Sequence, residues 1–294
     1  MSDTPDTPNP DDSTVPDPAA ETVIIPLGSG RLRPNILLTC GHFTNVGEKR
    51  KQNQDSLLTM QVVKVNLLNP STLGLYVVAD GMGGQASGEV ASGIVVSALA
   101  RFAHTGLFGR FLNGDLADND IIHWCRTAIE AANLSVMEGR VSEGNDMGST
   151  VVAAVVKDNM AHIVHVGDSR AYRLDVDGKL ERLTRDHSLV EQLVLAKHIT
   201  ESEARTHKRR NVVYRTMGEK EDVEVEIRSF ELQPGDRLIL CSDGLNSMIE
   251  DGQITAIVRQ SPSLMDAARR LVDAANDAGG DDNITVVVVE IASL

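Results

Sequence analysis

Leu73-Gly74-Leu75-Tyr76-Val77-Val78-Ala79-Asp80-Gly81-Met82-Gly83-Gly84 is an apolar run of strand length that ends in an Asp-Gly turn. The same grammar recurs. Arg237-Leu238-Ile239-Leu240-Cys241-Ser242 leads into Asp243-Gly244, and Ala161-His162-Ile163-Val164-His165-Val166 leads into Gly167-Asp168-Ser169-Arg170. Each of these segments delivers a carboxylate to its C-terminal end. A fourth run does the reverse, with Asp281-Asp282-Asn283 opening Ile284-Thr285-Val286-Val287-Val288-Val289. If that last strand runs antiparallel to its neighbours, its leading acid and their trailing acids share one edge of a sheet.

Acids gathered in this way call for a cation. Two carboxylates 4 Å apart repel by roughly 4 kcal/mol at an effective dielectric near 20. Several at one edge are pushed toward the protonated form unless a metal sits among them. With oxygen donors and no nearby Cys or His, Mg²⁺ or Mn²⁺ is favoured over zinc. The pairs Asp177-Gly178 and Asp251-Gly252 lack the preceding apolar run and read as plain turns.

Composition narrows the class. The 294 residues carry a formal charge of −14, which disfavours nucleic acid and anionic membrane as partners. No run of about 20 consecutive apolar residues is present, and the acidic N-terminus lacks a basic, apolar leader. Cys40, Cys125 and Cys241 are odd in number and share no CxxC spacing, so a reducing cytoplasm is expected. Residues 1–33 read as an acidic, Pro-rich disordered tail and 34–294 as one catalytic domain. Six of the 10 prolines fall before Leu27, together with six acids and no base before Arg31. Inside the tail lies the apolar island Thr22-Val23-Ile24-Ile25. It reads as a sticky patch, or as a phosphothreonine motif with Ile25 at +3, similar to those that forkhead-associated domains read.

From Asn35 onward, strands are expected at 36–43, 57–65, 74–79, 149–156, 160–167, 170–175, 179–184, 222–230, 236–242 and 283–291. Helices are expected at 87–103, 118–138, 188–197, 200–207 and 263–278, the fourth and fifth opened by Thr200 with Glu203 and Ser263 with Asp266. Long helix pairs between strand meanders indicate an α+β domain.

The motifs in their order resemble the metal-dependent protein phosphatase 2C family, in its bacterial serine/threonine form. They are Gly47-x-x-Arg50-x-x-Asn53-Gln54-Asp55, Asp80-Gly81-Met82-Gly83-Gly84, Gly88-Glu89, Gly148-Ser149-Thr150, Gly167-Asp168-Ser169-Arg170, Asp186-His187-Ser188, Ser242-Asp243-Gly244-Leu245 and Asp282-Asn283-Ile284-Thr285. The resemblance covers residues 36–291. It implies a four-layer α/β/β/α sandwich of two antiparallel sheets flanked by helices, with two Mn²⁺ or Mg²⁺ ions at one end and a weaker third site. By resemblance Asp80 bridges two metals, the Gly81 carbonyl binds one of them, and Asp243 and Asp282 hold the first. Asp55 contacts the site directly or through a bound water, Asp168 with Asp243 forms the third-metal site, and Arg50 binds substrate phosphate. The implied reaction is hydrolysis of phosphoserine and phosphothreonine in proteins by a metal-bridging hydroxide, reversing a cognate cytosolic Ser/Thr kinase. A catalytically silent member that binds phosphoproteins is the alternative, and a scaffold role through the tail is a third reading.

Some positions depart from the pattern. Gln54 stands where Glu is usual, and Met82 stands where animal members place a histidine proposed as general acid. Asn45 replaces a frequent Asp and is assigned no role. The pair Asp186-His187 reads as a loop anchor, and Ser169 and Ser242 lack the His and Asp partners of a nucleophile. The segment 189–218 resembles the family's flap, whose Lys208, Arg209 and Arg210 read as a solvated helix end or as a docking patch for phosphorylated or acidic substrates.

Overall fold

Both faces of the strand that carries Asp80 are buried, which is why its sequence is apolar without alternation. The computed structural model describes residues 36–65, 70–84 and 87–293. The tail, with its Thr22–Ile25 motif, lies outside the described residues. In β3 (Ser71–Met82), Leu73, Leu75, Val77 and Ala79 face one core, while Tyr76 and Val78 face another. Each such Leu or Val side chain withdrawn from water contributes about 1.5–3 kcal/mol.

Two wholly antiparallel sheets result. One orders β2 (Asp55–Lys64), β3, β5 (Val151–Lys157), β6 (Met160–Val166) and β9 (Glu226–Glu231), with the short β4 (Gly148–Ser149) on β3. The other orders β1 (Ile36–Asn45), β11 (Ile284–Ser293), β10 (Arg237–Cys241), β7 (Arg170–Leu174) and β8 (Leu180–Arg182). Their inner faces meet through Tyr76, Val78, Val152, Leu238, Leu240, Val287 and Val289. Helices α1 (Ser87–Ala103) and α3 (Asp118–Glu143) cover the first sheet. Between them come a π-helical turn (His104–Gly109) and α2 (Arg110–Asn113). The second sheet is covered by α7 (Asp251–Gln260) and α8 (Leu264–Asp277), the latter through Ala267, Ala268, Leu271, Val272 and Ala275. The expected four-layer α+β sandwich is therefore present.

Four local expectations change. The acids do not share one sheet edge, because Asp80 near the end of β3 and Asp168 after β6 belong to one sheet, while Asp243 after β10 and Asp282 before β11 belong to the other. They meet instead at one end of the sandwich. Asp251-Gly252 is no turn but the first turn of α7, whose Ile254 and Val258 are buried one helical turn apart. The β-branched run Ile254-Thr255-Ala256-Ile257-Val258 masked this helix. Strand 149–156 breaks at Thr150, and β9 begins only at Glu226.

The run Ser87–Asn113 is long and apolar enough, at 27 residues, to cross a bilayer by length and composition. It lies instead over β3 and beside α3, with Ala91, Val95, Ala98 and Leu99 in the core.

Candidate metal centre

Asp55 opens β2 directly opposite Asp80 in the β2–β3 register. The chain can turn there because Gly81 has no side chain: a Cβ would stand 1.9 Å from the Gly88 carbonyl oxygen at the start of α1. Gly81 N–H donates to the Gln54 carbonyl at 3.1 Å, fixing both loops. Asp80 is held by a second pair of bonds, its N–H to Thr150 Oγ1 at 3.1 Å and its carbonyl from Thr150 N–H at 2.8 Å.

The other sheet supplies its acids through Ser242 and Asn283. Ser242 Oγ donates to Asp55 Oδ2 at 2.8 Å and accepts Thr285 N–H at 3.0 Å, so one hydroxyl joins β2, β10 and β11. Asp243 follows as the first residue of α6 (Asp243–Asn246). Asn283 Oδ1 accepts Gln54 N–H at 2.7 Å, and its amide nitrogen donates to the Val46 and Gln52 carbonyls at 2.8 and 2.9 Å. These bonds seat the loop of Arg50 against Asp282.

The electrostatics of the cluster are strained. Burial is the main cause that pushes Asp55 up to about 7. Hydrogen bonds from Thr285 and Ser242 oppose it, while Asp243 and Asp282 add repulsion. Asp243 is pushed up to about 6 by burial and by Asp282, with contact from the Asp80 carboxyl working against the rise. Asp80 and Asp168 are both raised well above the carboxylate range, first by burial and then by neighbouring acids, Asp55 and Asp243 respectively.

Two buried oxygens, Asp55 Oδ1 and Asp243 Oδ1, have no hydrogen-bond partner. A buried carboxylate oxygen without a partner is costly, and it is also a free ligand atom. By contrast Asp186, buried as Asp55 is, is neutralised by Arg170 at 2.7 Å and Arg182 at 3.0 Å. The donor set Asp55, Asp80, Asp168, Asp243 and Asp282 thus fits hard divalent cations such as Mg²⁺ or Mn²⁺.

Arg50 stands at the rim, where its NH2 donates to Asp282 Oδ2 at 2.6 Å. Asp282, Asp243 and Asp80 all favour its charged form and outweigh the cost of its burial. Beyond it lies a cavity of about 360 Å³, walled on one side by Asp168, Asp243 and Asp282 and on the other by the segment 190–211. That segment contains α4 (Leu189–Leu195) and α5 (Glu201–Thr206), which opens with the foreseen Thr200–Glu203 capping box.

Only part of the foreseen basic patch faces this cavity. Arg210 lines it and reaches Asp281 at 3.4 Å, as Lys49 also does, whereas Lys208 and Arg209 are exposed and do not line it. Met82 packs against Gly148, and the Gln54 amide lies over Gly88. Asn45 Oδ1 accepts the Gly47 and Asn276 donors, which accounts for it as a turn residue. Sequence reasoning gave no role to Thr150, Ser242 or Asn283, the residues that fasten the acid loops to one another. Their presence in the recurring motifs was the available signal.

Similarity to known proteins agrees with this geometry. The family model described as protein phosphatase 2C matches residues 48–285. The serine/threonine phosphatase stp of Listeria welshimeri is 35% identical over 250 residues, covering 84% of this chain and 93% of that one. The solved S. agalactiae serine/threonine phosphatase superposes with a TM-score of 0.75 at 32% identity, covering 86% of this chain and 99% of the other. The catalytic domain of the serine/threonine protein phosphatase PstP, solved in complex with two manganese ions, gives 0.72 at 32% identity, over 88% and 100% of the two chains. Likeness of this length and degree makes the chain a member of the protein phosphatase 2C family.

Proposed function

We propose that this chain hydrolyses phosphoserine and phosphothreonine in proteins with the help of two divalent cations, Mn²⁺ or Mg²⁺, reversing a Ser/Thr kinase. The observation that carries the reading is the meeting of five aspartates from both sheets, two of them with buried, unpartnered oxygens, beside one arginine. Cations bound there supply Lewis acidity at the phosphoryl oxygens and a water deprotonated near neutral pH. Asp80, opposite Asp55 in the β2–β3 register, would hold the cations together with Asp243 and Asp282, and Asp168 would serve a weaker one. The Arg50 guanidinium offers a planar fork to two phosphoryl oxygens and stabilises charge that grows in the transition state. Ser242 and Asn283 hold these groups still, so little reorganisation is left for the reacting complex.

Turnover of p-nitrophenyl phosphate by the purified chain, with Mn²⁺, with Mg²⁺ and with chelator, tests the proposal beside Asp243→Asn. Metal-dependent hydrolysis lost in the variant is the expected result. A folded protein silent under every metal would favour the phosphoprotein-binding alternative. A finer prediction concerns substrate docking. Arg210→Ala lowers kcat/KM on a phosphoprotein severalfold and leaves the aryl phosphate unchanged, while Lys208→Ala with Arg209→Ala changes neither. Equal losses on both substrates would show that Arg210 serves the metal centre through Asp281 instead.

A further inference from the structure

Asp168 enters the acid cluster from Gly167, which sits at φ +112°, where a Cβ would stand 2.6 Å from Thr150 Cβ. Glycine is the least restrained of residues, so the direction in which Asp168 leaves depends on what holds Gly167. One residue holds it from both sides. Gly167 N–H donates to His187 Nδ1 at 3.0 Å, and the Gly167 carbonyl accepts His187 N–H at 2.9 Å.

The His187 ring is itself fixed. Because Nδ1 accepts, Nε2 carries the ring proton and donates it to Glu226 Oε1 at 2.9 Å. Arg215 NH1, 3.0 Å from that protonated nitrogen, finds its acceptor in Glu226 Oε1 at 3.4 Å. The His165 ring stacks on His187 with centroids 4.7 Å apart and is anchored by Nε2 to the Arg185 carbonyl at 2.8 Å. His165, His187 and Glu226 could by spacing hold a metal, but the Arg215 guanidinium lies at the same carboxylate and nitrogen and supplies the positive charge. His187 is 1% exposed and does not line the cavity, so it reaches the acid cluster through Gly167. Its carbonyl also accepts Tyr214 N–H at 2.9 Å, which closes the base of the segment 189–213.

We propose that His187 is a positioning residue for Asp168: its Nδ1 pins Gly167 so that the Asp168 carboxylate stands beside Asp243, and Glu226 keeps the ring in place. This rests on the metal-centre reading above. Partners that orient a ligand without touching the metal are worth about 10- to 100-fold in affinity.

The test is a Mn²⁺ titration of the full chain, followed by the EPR signal of free Mn²⁺, with melting temperatures recorded in parallel. Asp168→Asn marks the weak class of ions by abolishing it. His187→Gln keeps a donor toward Glu226 but removes the acceptor for Gly167, and it weakens that class about 10-fold while leaving tighter ions unchanged. His187→Asn places Oδ1 where Nδ1 stood and restores the affinity. A part that is merely structural would lower the melting temperature of both variants and leave Mn²⁺ binding alone.

Wild-type affinity in His187→Gln, or equal weakening in both variants, overturns the proposal. If His187→Gln does not fold, Glu226→Met and His187→Asn decide: weakened binding in the first with wild-type binding in the second supports it, and any other pair of results overturns it. A wild-type chain that binds no Mn²⁺ removes the metal-centre reading and this one with it. A chain that binds ions but is indifferent to Asp168→Asn overturns the positioning role alone.

Discussion

Asp80→Asn lowers metal-dependent turnover of a phosphomonoester by on the order of 10² to 10³, the range seen when one preorganised electrostatic element is lost. The same substitution raises the melting temperature measured in chelator. Both effects follow from one fact. Asp80 is a carboxyl driven well above its ordinary range by burial and by Asp55, Asp243 and Asp168. Its ionised form is tolerable only with a cation beside it, so an amide relieves the repulsion and discards the ligand. Opposite movements of activity and stability distinguish a functional site from a structural ion pair, where both would fall. Turnover within tenfold of wild type, or a lower melting temperature in chelator, would sink the assignment.

In chelator the chain loses stability as pH rises from about 6.5 to 8, and saturating Mn²⁺ abolishes the loss. Asp55 is pushed up to about 7 and Asp243 up to about 6, whereas the unfolded chain titrates such groups near 3.8. Between those values these two groups bind more protons in the folded state than in the unfolded one, so their contribution to the slope of unfolding free energy with pH is negative. The stabilising contribution is complete below the unfolded value and is gone above the folded one. Buried His162 and His165, lowered to about 4 from 6.5, act with the opposite sign below pH 6.5, so melts at pH 6.5 and pH 8 isolate the acids, and the melting temperature is lower at pH 8. A bound cation favours the ionised form and pulls both groups back down. Thermal melts at the two pH values, with and without metal, check this. A chelated protein more stable at pH 8 would contradict the cluster's geometry.

Much of the site was legible because it is built from local signals. An apolar run that ends in Asp-Gly states both that a strand stops and that a carboxylate is left at its end, and Asp80 and Asp243 were readable from that alone. The continuous apolar character of 73–79 and 286–289 also reported that both faces of each strand are buried. Helix α7 was hidden because Ile, Thr and Val suit a pleated surface as well as a helix, and only packing against α8 in the shared core decides between them.

What no local signal carries is the company each residue keeps. Which carboxylate is neutralised depends on which arginine folds beside it. Asp186 lies against Arg170 and Arg182, while Asp55 and Asp243 keep unpartnered oxygens, although all three are acids in the family's motifs. The partition of the acids between two sheets rests on strand order, set by the burial of two inner faces far from the site. The grip of His187 on Gly167 joins residues 20 positions apart. Backbone propensity and the charge on single residues are local, so the kinds of candidate ligand and the ends of the strands could be read along the chain. Which oxygens remain free and what holds them in place emerges with folding, because desolvation and hydrogen bonding depend on atoms that are distant along the chain.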